Sequence, residues 1–100
     1  MKLGILINTD RHLSDILGIT KAAFSKGHEV IIFNMDEGTR LLGNPSFWEL
    51  CGMNGVRMSF CDYNARGLGV SKEGIPDEIV CGSQLNNAEM IHEADRVIVL

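Results

Sequence analysis

One hundred residues, 45% of them hydrophobic and 22% charged, have the balance of one ordinary globular domain, which excludes a disordered or collagen-like chain and leaves room for a single core. The net charge of −4 comes without a lysine or arginine cluster; nucleic acid and anionic membrane surfaces are held through clustered cations, so neither is an expected partner. Three cysteines, Cys51, Cys61 and Cys81, cannot all pair within one chain and are not spaced with histidines for zinc, so free thiols in a cytoplasmic, reducing compartment and no bound metal are expected.

Lys2 to Ile7 is a continuous β-branched and leucine run, the pattern of a strand buried on both faces in a parallel sheet, and too short for a signal-peptide core or a membrane span. After Asn8-Thr9-Asp10 a helix runs to Lys26, with Leu13, Ile16, Leu17, Thr20 and Phe24 at helical spacing, Ile19 and Ala23 widening the stripe, and Gly27 as the stop. Glu29 to Phe33 is a second buried strand, and strand, helix, strand within about thirty residues is a right-handed βαβ unit. No regular element is assigned between Asn34 and Asn44. Asn44-Pro45 opens a short helix whose Phe47, Leu50 and Cys51 face inward before Gly52.

Val56 to Phe60 is a third strand running out at Cys61, and Asp62 to Gly67 forms a helical turn closed by glycine. Glu78 to Cys81 is a short strand. Ser83 caps a last helix with Leu85, Ala88, Ile91 and Ala94 facing the core, and Arg96 to Leu100 closes the sheet as a fifth strand. The alternation predicts a three-layer α/β/α sandwich with five mostly parallel strands.

Reactive groups of such a sheet collect at the carboxyl ends of its strands. Asn8-Thr9-Asp10, Asn34 to Asp36, Cys61-Asp62 and Cys81-Gly82 are assigned to that edge, and Cys51 to the opposite one. Cys61 is the strongest candidate: backbone N–H groups of the following turn and the Arg66 guanidinium favour a thiolate, although the adjacent Asp62 carboxylate opposes it. On spacing alone, a cysteine that plugs the end of a strand fits equally well. His12, His28 and His92 stand alone and receive no role, and neither a G-x-G-x-x-G after the first strand nor a P-loop is present, which disfavours nucleotide binding.

The stretch Gly55-Val56-Arg57-Met58-Ser59-Phe60-Cys61-Asp62-Tyr63-Asn64-Ala65-Arg66-Gly67-Leu68 resembles the segment of DsrE/DsrF-like sulfur-relay proteins (the DsrE, TusD and YchN type) in which a strand ends at a cysteine and an Arg-Gly-Leu-like turn follows. Leu3 to Ile7, Gly27 to Phe33 and Ala94 to Leu100 also look like this family, so the resemblance spans residues 1–100 as one DsrE-like domain. It implies the strand order 4-3-2-1-5, a homo-oligomer such as a trimer or hexamer, and no cofactor. It also implies a sulfurtransferase-like role in which Cys61 carries a persulfide between donor and acceptor proteins, with Arg66 stabilising the anionic sulfur and Cys81 as a candidate relay thiol. Asp62-Tyr63 departs from the small apolar residues common after the family's cysteine, and the loop Val70 to Pro76 matches no motif. Two other readings stay open: a non-catalytic subunit of a homo-oligomeric ring, and a small-ligand module using Asn8, Thr9, Asp10 and Asn34.

Overall fold

A computed structural model describes residues 1–100. Five strands form one sheet in the order β4-β3-β2-β1-β5, with β1 Lys2–Ile7, β2 Glu29–Asn34, β3 Val56–Cys61, β4 Ile79–Gly82 and β5 Arg96–Val99. Every neighbouring pair is parallel, as the unbroken apolar runs of β1 and β2 require. The helices are α1 Leu13–Ser25, α2 Pro45–Trp48, α3 Asp62–Gly67 and α4 Gln84–Glu93.

The two faces of the sheet are covered unequally. Strand pleating sends alternate residues to opposite faces. Ile5, Ile7, Val30, Ile32, Val56, Met58, Phe60 and Ile79 point to one side and join Ile16, Ala23, Leu41, Leu42, Phe47, Leu50 and Ala65 in a core of 15 buried residues. The other side holds a buried cluster of only four, Ile31, Phe33, Cys61 and Met90, and α4 alone covers it.

Asp36–Gly43, where the sequence reading assigns nothing regular, forms 3-10 turns that bury Leu41 and Leu42. Gly38 makes this packing feasible: a Cβ there would stand 2.7 Å from the Ile7 carbonyl carbon, so only glycine lets the chain cross the end of β1 so closely. The α1 boundary also shifts. His12 occupies the cap without a side-chain bond, Ile16, Thr20 and Ala23 are the buried residues, and Phe24 lies on the exposed edge of the stripe. At α2 the expected cap is present, with Asn44 Oδ1 accepting from the Ser46 N–H at 2.9 Å.

The inward face of α4 differs from the sequence reading. Leu85 and Ile91 are exposed, as is Ala88, and the side chains turned to the sheet are Asn86, Asn87, Met90 and, just past the helix, Ala94. Two glycines set this rotation. A Cβ on Gly4 would meet Ala94, Val97 and Met90 at 3.1–3.3 Å, and one on Gly82 would lie 2.7 Å from Asn86 Cγ, so the helix rests directly on backbone at both ends.

Candidate functional site at the carboxyl edge of β3

Cys61 is the last residue of β3, an inner strand paired on both sides, and it is the cap residue of α3 with φ −81° and ψ 108°. Its side chain follows the parity of Arg57 and Ser59 onto the α4 face, where it joins Ile31, Phe33 and Met90 and is 3% exposed. Leu6 and Met35 pack against the same cluster. Cys61 thus ends its strand at the expected edge, but pleat parity turns its side chain under the layer that contains α4 and not out to solvent.

Arg66 does not reach towards this thiol. Its Nε donates to Asp62 Oδ2 at 2.9 Å, and Lys72 Nζ approaches Asp62 Oδ1 at 2.6 Å, so both cations serve the carboxylate next to Cys61 in the chain. The Lys72 hydrogen bond, ahead of the Arg66 charge, holds the Asp62 carboxyl below its ordinary range. The anion-stabilising role assigned to Arg66 therefore passes to compensation of Asp62. Lys72 lies in the loop that matched no motif, so nothing in the spacing pointed to it.

Cys81 lies on the neighbouring strand, as the strand order requires, but it stands opposite Phe60, while Cys61 stands opposite Gly82. Phe60 belongs to the large core and Cys61 to the small cluster, so the two thiols face opposite sides of the sheet. That geometry removes direct sulfur exchange between them within one chain, the relay role the sequence reading assigned to Cys81. The Cys81 residue is exposed, and partial desolvation followed by the Asp62 carboxylate pushes its thiol up from the ordinary cysteine range. Cys51 occupies the opposite edge, as expected, with its Sγ 3.9 Å from Glu78 Oε2; partial burial, then Glu78, pushes it up as well.

The other edge residues are tied into the fold. Asn34 is buried, and its Nδ2 donates to the Gly38 carbonyl at 2.9 Å, which locks the 3-10 segment to the end of β2. Asp36 holds a left-handed φ of 47°, and its N–H donates to Asn64 Oδ1 at 2.9 Å, which joins that segment to α3. His12 lies 3.8 Å from Asp15 on its own helix. Beside α4 runs a groove of about 170 Å³ whose floor includes Ser59 and Met58 and whose walls include Val80, Asn86 and Met90.

A five-stranded parallel sheet in the order 4-3-2-1-5 flanked by helices defines a small α/β protein of the YchN fold type. The E. coli ychN protein has this fold: its structure superposes with a TM-score of 0.71 over 99% of this chain and 97% of that one, at 14% sequence identity. The conserved protein of unknown function BT1422 from Bacteroides thetaiotaomicron superposes with a TM-score of 0.77 over 99% of this chain and 94% of its own, also at 14% identity. The likeness is one of fold. No family model and no curated protein matches the sequence.

Proposed function

We propose that the protein is a sulfur carrier that holds a persulfide on Cys61. The observation that supports this best is the combination of strand-end placement and burial: Cys61 stands at the sheet edge where α/β proteins place their chemistry, yet is 3% exposed within an apolar cluster. A persulfide is consumed by any thiol that reaches its outer sulfur, so a carrier gains from shielding it between encounters. Loading needs no metal, oxidant or organic cofactor. The Cys61 thiolate attacks the outer sulfur of a donor R–S–SH, the donor S–S bond breaks, the donor leaves as R–S⁻, and Cys61 becomes Cys–S–SH. Attack by an acceptor thiolate on that outer sulfur reverses the bond changes and regenerates the Cys61 thiolate.

Intact mass after exposure to a persulfide donor tests the reading. The gain of one sulfur atom should persist in Cys51→Ser and Cys81→Ser and vanish in Cys61→Ser with the fold retained. Normal loading of Cys61→Ser would sink the carrier role.

A second reading, a non-catalytic subunit of a homo-oligomer, is favoured by a different observation. Val80, Leu85, Ile91, Val97 and Val99 are all exposed on or beside the thinly covered α4 face, more apolar surface than one short helix conceals. The two readings are compatible, because a carrier can assemble through this face.

A further inference from the structure

We infer that the Met35 side chain is the gate of Cys61, turning outward to admit a reagent and to make room for the outer sulfur. The inference rests on the reading of Cys61 as the working thiol. A residue 3% exposed meets no second sulfur while its neighbours stay in place, and none of the four depressions on the protein is lined by Cys61, so an added atom finds no ready space. One neighbour has to yield.

Most of the neighbours are held. Ile31 and Phe33 stand on β2, which is paired on both sides, and both are buried, with no solvent to turn into. Met90 is buried too, and the end of α4 that carries it is anchored: Glu93 accepts from Lys2 Nζ at 3.1 Å and from Arg57, and the Asp95 N–H donates to the Lys2 carbonyl at 2.8 Å. On the β4 side Gly82 stands opposite Cys61 without a side chain, and Asn86, which rests on it, is tied by the Ser83 N–H to its Oδ1 at 2.9 Å. Leu6 lies on β1, two strands away from β3.

Met35 differs from all of these. It continues β2 with an extended φ of −137° and ψ of 169°, and its N–H donates to the Ile7 carbonyl at 2.8 Å. The pleat therefore carries on through it and sends its side chain to the face of Ile31, Phe33 and Cys61, where it packs against their cluster. The β2–β3 register ends with Asn34 opposite Phe60, and one step further sets Met35 beside Cys61, a strand spacing of about 4.8 Å away. Its backbone is fixed, but its side chain is partly exposed at the sheet edge and is a flexible thioether that packs without directional bonds. Rotamer changes of such side chains are fast and need no movement of strand or helix.

The test uses the Cys51→Ser/Cys81→Ser background, in which Cys61 is the sole thiol, and follows its alkylation by a small haloacetamide under native conditions. Met35→Ala, which removes the gate, should raise the rate at least about tenfold, since an open state populated about 10% of the time or less becomes the resting one. Met35→Ile, which fills a similar volume with a side chain stiff at χ1, should lower it. Leu6→Ala, which trims the other partly buried member of the cluster, should leave it unchanged. The rate should hardly depend on urea below the unfolding transition, because turning one side chain exposes little surface. A urea dependence as steep as that of global unfolding overturns the inference, as does equal acceleration by Met35→Ala and Leu6→Ala, or labelling of Met35→Ile as fast as that of Met35→Ala. Alkylation requires no persulfide, so failure of the gate and failure of sulfur loading are read separately.

Discussion

The chemistry around Asp62 shows why neighbouring residues in the chain need not serve the same group. Cys61 and Asp62 are adjacent, yet the thiol is buried on the α4 face while the carboxylate gathers Arg66 and Lys72. Because the Lys72 hydrogen bond lowers the folded-state Asp62 below its unfolded value, the stability it contributes is present above about pH 4 and is lost as pH falls through the lower folded value. The difference in stability between the parent and Asp62→Asn should therefore shrink below about pH 4, as followed by denaturant titrations across that range. The same substitution removes the carboxylate that raises the Cys81 thiol, so the pH midpoint of Cys81 alkylation should move down. An unchanged midpoint would leave desolvation as the sole cause.

At the level of elements, buried strands and helix stops are legible in the sequence because their signals are local. The runs Leu3–Ile7 and Val30–Phe33 and the caps Asn44 and Ser83 announce themselves. The inward face of α4 does not, because Leu85, Ala88 and Ile91 have as good a helical spacing as Asn87 and Met90, and the choice between them is made by the bare backbone at Gly4 on the distant β1 and at Gly82, just before the helix cap. The burial of Cys61 is hidden for the same reason: it depends on which pleat of β3 the residue occupies and on which element covers that side. Gly38 provides a sharp test of backbone crossing. Gly38→Ala drives a Cβ into the Ile7 carbonyl and should destabilise the fold by about 2–4 kcal/mol in denaturant unfolding, whereas Gly18→Ala, in open space on α1, should be neutral or slightly stabilising.

For the whole molecule, the imbalance between a 15-residue core and a four-residue cluster predicts association through the thinner side. Sedimentation should show a homo-oligomer, and the double substitution Val97→Lys with Val99→Lys should shift it towards monomer without unfolding it, because both side chains are exposed on β5. A parent that sediments as monomer at every concentration would leave the exposed valines without this explanation. The sequence carries a broad apolar stripe on α1, and that helix lies on the other side of the sheet, against the 15-residue core.

The opposed orientation of Cys61 and Cys81 also sets how the protein meets oxidative stress. A peroxide or disulfide arriving from solvent finds the exposed Cys81 first; Cys61 faces the other side of the sheet, and Cys51 lies at the opposite edge beside Glu78. Oxidation there ends as a mixed disulfide with a small thiol or as a bridge between two copies, both reversible by reductant, while the buried sulfur is spared. On a non-reducing gel the bridged species should disappear in Cys81→Ser and persist in Cys61→Ser. The exposed cysteine is therefore a site for attaching a fluorophore or a resin that leaves the other thiol intact.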